Sequence, residues 1–363
     1  VTHWLAGLLV AYGVATLWLL IGMSRRHRKT NRTVTVSLVI CLRNEETNLP
    51  GLLRSLNALD YPEDRLEIIL VNDRSSDSTG RQIEDFRSTA RFPVIVENVT
   101  AEISGFPGKM GALIRGLKLA SNDLFVLTDA DARPRPDWIR RMVSYFNDDI
   151  GLVGGPIRIT GTSLWARLQA LDWTYLFAVG AGTAGWNVPQ SVFGKNAAIR
   201  AMTYQDIGTL EAVPFSVTED LALLAAVRDR TRWKIRLPLE KSLAVDVLPT
   251  PNLRTLWHQR RRWLLGGMKI TLVGRLLILI MLFLTLAIWL SLFLSPLWAM
   301  GLFAIQCLID LPLAGLTLAR LGRLGWIAYW IPYRLVFAVL VLPVVGSLLV
   351  TRSIHWKGQI LKS

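Results

Sequence analysis

The chain has 363 residues, 52% of them hydrophobic, and its 41 Lys and Arg against 27 Asp and Glu give a formal charge of +14. So much apolar side chain excludes a disordered polymer, and two cysteines, Cys41 and Cys307, are too few for a disulfide scaffold. A soluble nucleic-acid binder shares the charge but not a mean hydropathy of +0.36, so the balance points to membrane spans beside a polar domain, with the basic excess on the cytoplasmic side.

Residues 3–23 make about one bilayer thickness of helix, and Arg25, Arg26, His27, Arg28 and Lys29 follow at once. That order predicts an N-terminal transmembrane helix over residues 1–24 with a cytoplasmic basic flank. A signal peptide has a shorter apolar region and carries its basic cluster first. Residues 30–270 are polar and patterned, about 240 residues, which suits one cytosolic domain. Within it, residues 34–42 (VTVSLVICL) are a β-branched run short enough for a buried parallel strand, followed by Asn44-Glu45 and a helical pattern that Tyr61-Pro62 breaks. A second strand over 66–71 ends at Asn72-Asp73, and a helix over 75–86 is expected with Ser75 or Ser76 as its cap. A third strand (94–99), a helix (111–120) and a fourth strand (123–128) ending at Asp129 complete the alternation. Strands alternating with helices imply a parallel sheet with both faces covered, and ligands collect at the carboxyl ends of its strands. Three acidic or amide-bearing strand ends then converge on one edge.

Asp129 and Asp131 stand one residue apart after a buried strand, a spacing that lets both reach one hard cation such as Mg²⁺ or Mn²⁺. A bare D-x-D is also a common solvated turn, so its weight comes from its place beside the other strand ends. Asp73 suits hydrogen bonds from a ribose or base edge, or a helix cap. Gly108-Lys109 opens a helix and suits a phosphate, without the pattern of a Walker loop. Thr218-Glu219-Asp220 precedes a helix over 221–228: Thr218 fits as its cap, and one acid is a candidate general base. Gln259-Arg260-Arg261-Arg262-Trp263 reads either as a site segment or as a juxtamembrane basic stop. Residues 163–181, with Trp165, Trp173 and Tyr175, fit an interfacial helix that receives a lipid or an ordinary core helix. The C-terminal transmembrane region, 276–350, holds spans over 276–295 and 297–318. A third segment over 326–350, carrying Pro332, Arg334 and Pro343, fits a kinked span or a re-entrant segment. Asp310 lies inside the second span and needs protein or a polar cavity around it. Residues 351–363 form a basic tail.

Taken in order, Asn44-Glu45, Asp73, Gly108-Lys109, Asp129/Asp131, Thr218-Glu219-Asp220 and Gln259-x-x-Arg262-Trp263 resemble the membrane-embedded branch of family 2 glycosyltransferases, which includes cellulose and hyaluronan synthases and ceramide glucosyltransferases. Phe193-Gly194-Lys195-Asn196 is similar to that family's acceptor-side segment. The resemblance implies an α/β GT-A fold: a Rossmann-like, mostly parallel cytosolic catalytic domain flanked by transmembrane helices. It implies inverting transfer from a UDP-sugar, with Asn44, Glu45 and Asp73 around the uridine and Lys109 near the diphosphate. By the same likeness Asp129 and Asp131 hold Mg²⁺ or Mn²⁺, and Asp220 is the base. Gln259, Arg262 and Trp263 close over donor and acceptor, and Glu219, Gly194 and Asn196 lie on the acceptor side. Two departures, Arg74 where many members have Gly and Met110 after Lys109, are expected not to touch the chemistry. The few spans favour a membrane lipid acceptor over a threaded polymer, in an inner or plasma membrane, with no nucleic acid involved. The rivals are a small processive polysaccharide synthase, a membrane nucleotidyltransferase and a non-catalytic membrane protein.

Overall fold

The computed structural model describes residues 2–267, 270–350, 353–356 and 359–362. Helix α1 (Thr2–Ser24) ends just before the basic cluster. Then come β1 (Val36–Leu42), α2 (Leu49–Asn57), β2 (Leu66–Asp73), α3 (Thr79–Thr89), β3 (Val94–Val99), α4 (Lys109–Leu119) and β4 (Leu124–Thr128). Strand β1 lies between β2 and β4, parallel to both, and Val36 stands level with Leu66 on one side and Leu124 on the other. Its side chains alternate between two cores: Val36, Leu38, Ile40 and Leu42 face one way with α2, whereas Val39 faces α4. Because both faces are covered, the strand reads as one continuous apolar run, and each Leu or Ile sealed there contributes about 1.5–3 kcal/mol.

The second half contains β5 (Ala132–Arg133), α5 (Trp138–Val143), β6 (Ile150–Gly154), β7 (Ile157–Ile159), α6 (Leu164–Gly185) and β8 (Ala197–Arg200). It continues through α7 (Ala201–Asp206), α8 (Glu219–Arg230), β9 (Lys234–Arg236), β10 (Val245–Val247) and α9 (Leu253–Gly266). The main sheet runs β3-β2-β1-β4-β8-β6-β9, and β5-β10-β7 form a small second sheet. Strand β8 is antiparallel to both neighbours, with Ala197 opposite Leu127. A strand antiparallel to its neighbour starts where that neighbour ends, so the turn before β8 meets the carboxyl end of β4.

Helix α6 is not an interfacial helix with one wet face. Most of it is buried all round, between the sheet and the apolar helices, so the core-helix reading holds. It packs along α1: Tyr12 and Tyr175 hydroxyls are 3.2 Å apart, and Trp18 stacks on Trp186 at 5.6 Å. The two backbones touch at glycines. A Cβ on Gly185 would stand 2.0 Å from the Gly22 carbonyl oxygen, and one on Gly182 2.7 Å from that of Leu19.

The C-terminal region is α10 (Leu272–Leu294), α11 (Pro296–Arg320), a 3₁₀ turn (Leu324–Tyr329), α12 (Trp330–Val350) and a hairpin of β11 (Ser353–Trp356) and β12 (Gln359–Lys362). By length and composition α1, α10, α11 and the segment Leu324–Leu348 are each able to cross a membrane. Ser295 separates α10 from α11, and Pro296 sits in the first turn, where its missing N–H costs nothing. Helix α12 packs on the polar domain: the Tyr333 hydroxyl donates to Asp172 at 3.1 Å, Trp330 lies 5.7 Å from Tyr175, and Leu348 packs against Val217 and Leu265. Asp310, fully buried, accepts from Tyr12 at 2.8 Å and faces Arg334 Nε at 3.3 Å. In the basic tail, residues 351–352, 357–358 and 363 lie outside the described residues.

Candidate active site

Three strand ends meet at one sheet edge. After β1, Asn44 adopts a left-handed backbone (φ 51°) and its Oδ1 accepts the Ser76 N–H at 2.8 Å. The Glu45 N–H reaches Thr79 Oγ1 at 2.8 Å, and its carboxylate accepts from Asn48 at 2.9 Å. Both residues therefore knit the β1 loop to the start of α3. This moves the helix start: Ser76 is engaged by Asn44, α3 begins at Thr79, and Asp77 Oδ1 accepts the Thr79 N–H at 3.0 Å. Neither Ser75 nor Ser76 caps it. Asp73, at the end of β2, is only 3% exposed and lies 2.7 Å from Arg74 Nε and 3.6 Å from Arg43. Arg74, expected to be uninvolved, thus grips the residue proposed to meet the nucleoside, from a left-handed backbone (φ 53°) that favours Gly.

At the end of β4 the carboxylates are matched by lysines. Lys109, the first residue of α4, lies 2.7 Å from Asp129 and 2.7 Å from Glu219. Lys195, in the turn before β8, lies 2.8 Å from Asp131 and 3.7 Å from Asp129. Burial opposes ionisation of Asp129, but Lys109 and Lys195 outweigh it and hold the carboxyl well below its usual range. Burial likewise disfavours the Lys109 charge, and Asp129 with Glu219 more than restores it. Met110, behind them, is buried.

Asp220 has the opposite balance. Burial, then the neighbouring Glu219 charge, push its carboxyl up to about 6, against a hydrogen bond from the Gly194 N–H at 2.9 Å and the charges of Lys109 and Arg262. Its other oxygen accepts the Leu221 N–H at 2.9 Å. Thr218 does not cap α8; its hydroxyl pairs with Ser216 at 3.3 Å. Asn196 faces away from the cleft. It is fully buried, accepts from Trp138 Nε1 at 2.9 Å and donates to the Pro156 and Leu243 carbonyls, so its amide holds the turn that carries Lys195. Asp129, Glu219, Asp220, Lys109, Gly194 and Cys41 line one small cavity.

Helix α9 lies against this cavity's outer wall. Gly266 sits so close to Thr218 that a Cβ there would meet Thr218 Oγ1 at 1.7 Å. Arg262 reaches the Val217 carbonyl at 3.5 Å, and Trp263 meets Trp173 edge-on at 4.7 Å. Gln259 accepts from the Arg260 guanidinium at 3.2 Å. Of the sequence-derived residues, Lys109, Asp129, Gly194, Glu219 and Asp220 line the cavity and Asp131 joins Asp129 through Lys195, whereas Asn44, Glu45 and Asn196 hold loops and Gln259 is engaged by Arg260. Lys195 and Arg74 were missed as site residues. Lys195 was visible only as a basic residue inside Gly194-Lys195-Asn196, and its reach to both carboxylates depends on β8 running antiparallel.

Asp129 and Asp131 already converge on one cation, the Lys195 ammonium, so their oxygens fit a hard divalent ion with that side chain swung aside. Among the described residues no set of three or more His, Cys, Asp or Glu is placed to hold a metal, so the remaining ligands would be donor and water oxygens.

The profile of glycosyl transferase family 21 matches residues 2–363. The chain belongs to that family. Membership of a glycosyl transferase family agrees with the resemblance that the six ordered motifs carry. The chain is 30% identical over 240 residues to a beta-monoglucosyldiacylglycerol synthase of Synechocystis, covering 64% of this chain and 47% of that protein. It is 29% identical over 251 residues to a poly-beta-1,6-N-acetyl-D-glucosamine synthase of Staphylococcus epidermidis, covering 65% and 55%. The chain thus spans about half the length of these curated relatives. Among solved structures, a mannosyltransferase of Pyrobaculum calidifontis in complex with GDP-Man and Mn²⁺ superposes with a TM-score of 0.61 at 16% identity, over 95% of this chain and 98% of that one. That likeness shows the GT-A fold that the resemblance implied.

Proposed function

We propose that the protein is an inverting glycosyltransferase that moves a sugar from a UDP-sugar to a hydroxyl of a membrane lipid. The observation that carries this reading is a cavity that Asp220, its carboxyl pushed up to about 6, shares with the Lys109–Asp129 pair. Asp220 takes the proton from the acceptor hydroxyl as that oxygen attacks the anomeric carbon, and UDP departs from the opposite face. Such a displacement needs one base and no enzyme nucleophile, unlike a retaining glycosidase with its close carboxylate pair. The Gly194 N–H fixes the orientation of the Asp220 carboxylate, and the Glu219 charge keeps its proton affinity high. Lys109 and Arg262 offset the charge that develops on the leaving diphosphate. Asp73, placed by Arg74 and Arg43, meets the nucleoside, while Asn44 and Glu45 shape its loop. Gln259 and Trp263 close the pocket over donor and acceptor, and Asn196 acts indirectly by fixing Lys195 and Gly194.

Asp129 and Asp131 would hold Mg²⁺ or Mn²⁺, which supplies further neutralisation of the diphosphate when bound. Residues 30–270 act as the catalytic domain on the cytoplasmic side, with residues 1–24 and 276–350 in the bilayer, an orientation supported by Arg25, Arg26, Arg28, Lys29, Arg320 and Arg323. The likeness to a diacylglycerol glucosyltransferase favours a lipid acceptor, and that to a poly-N-acetylglucosamine synthase favours polymer formation. Incubating the purified full chain with several UDP-sugars and a total lipid extract, then weighing the products, separates them. A lipid gaining one sugar mass is expected. A ladder of sugar masses overturns the lipid acceptor in favour of a polysaccharide, and no product with any UDP-sugar overturns the donor.

A further inference from the structure

Arg260 belongs to the basic run that precedes the apolar region, and its position off the cleft invites dismissal as a membrane stop. Its surroundings say otherwise. Its guanidinium lies over the Trp263 ring at 4.1 Å and bonds the Asp172 carboxylate on α6. Asp172 is 9% exposed, and its second oxygen accepts the Tyr333 hydroxyl of α12 at 3.1 Å. The next residue on α6, Trp173, meets Trp263 at 4.7 Å and Phe193 at 4.9 Å, and Phe193 precedes the Gly194 that bonds Asp220. One carboxylate thus joins three helices that are far apart in sequence, at the point where the membrane-associated helix α12 meets the helix carrying Arg262 and Trp263.

We propose that Asp172 is a positioning residue: by clamping Arg260 against Trp263 it fixes α9 over the donor site, and through Tyr333 it ties that position to α12. The inference rests on the reading that α9 closes over the donor. A carboxylate with two directional partners holds a helix where burial alone would let it slide, and a shift of about 1 Å at a reacting group costs on the order of 100-fold in rate. Tyr333 sets the carboxylate from one side and Arg260 reads it from the other.

The test uses the full chain in lipid nanodiscs, labelled with 5-fluorotryptophan, with the Trp263 ¹⁹F resonance assigned through Trp263→Phe and UDP with Mg²⁺ as the probe. UDP is expected to shift the Trp263 resonance in the unaltered protein. Asp172→Asn should at least halve that shift and lower transfer by on the order of 10- to 100-fold, in protein whose thermal midpoint still lies well above the assay temperature. Asp172→Glu should restore most of both, and Tyr333→Phe, which removes one hydroxyl, should give a smaller loss in the same direction. A normal Trp263 response and normal transfer in Asp172→Asn overturn the proposal. So does a loss of transfer accompanied only by a lower midpoint with the Trp263 response intact. If Asp172→Asn does not fold, Tyr333→Phe decides by the same two readouts. If UDP leaves Trp263 unmoved in the unaltered protein, the closure reading itself fails and this inference goes with it.

Discussion

Two of the places where the molecule buries charge have opposite consequences. At the sheet edge, Lys109, Lys195, Asp129, Asp131 and Glu219 form a web in which most members keep some contact with solvent. In the apolar bundle, Asp310 and Arg334 are 0% and 2% exposed, with Tyr12, Tyr175 and Phe337 around them. The first web can exchange one cation for another, because a ligand or ion can reach it. The second has no exchange partner, so it fixes the packing of α1, α11 and α12. Access, more than charge content, separates a working site from a structural pin.

The comparison is broken most decisively at Asp220. Asp220→Asn should lower transfer by about 10²- to 10⁴-fold while UDP still binds by calorimetry; transfer near the original rate removes the base from the proposal. Asp310→Ala should do the reverse. Leaving Arg334 buried and unpaired costs about 3–5 kcal/mol of stability, read as a lowered denaturation midpoint, while the protein that remains folded keeps its UDP affinity. Replacing both Asp310 and Arg334 by Leu should recover much of that loss, since well-packed apolar side chains often match a buried ion pair. A smaller effect is expected at Gly266→Ala, where the new methyl meets Thr218: about 1–3 kcal/mol of overpacking, with the donor KM raised because α9 is pushed off the Thr218-Glu219-Asp220 segment.

The smallest effect is in pH. With Asp220 pushed up to about 6, kcat/KM should fall about fivefold between pH 6 and pH 5 as the base is protonated. For stability the sign is opposite. A carboxyl raised on folding favours the folded state below its unfolded value of about 4, and that contribution is lost as pH rises through 6. Asp220→Asn should therefore be slightly more stable than the unaltered protein at pH 7 in a thermal melt, a trade expected of a group kept for chemistry.

How much of this was legible depended on whether the signal was local. Strands β1, β2 and β4 were readable because sealing both faces leaves an unbroken apolar run, and the strand-end motifs followed from them. The start of α3 was misread because Asn44, 32 residues upstream, takes the Ser76 N–H, and the helix begins only at Thr79, whose N–H goes to Asp77. The role of Lys195 was hidden because it needs β8 antiparallel beside β4, a pairing that no local pattern announces. Residues 163–181 were ambiguous for a related reason. A helix enclosed by a sheet on one side and apolar helices on another shows the same all-round greasiness as one lying in lipid.

The glycine crossing of α1 and α6 has a practical consequence. Gly22, Gly182 and Gly185 bring the two backbones together with no side chain between them, and Trp18 covers Trp186 beside them. Cutting the chain after Ser24 to make a water-soluble enzyme would strip one wall from the helix that carries Asp172 and Trp173. Biochemistry on this protein therefore calls for extraction with its first helix in place, and a truncated version that loses activity would say little about the catalytic groups.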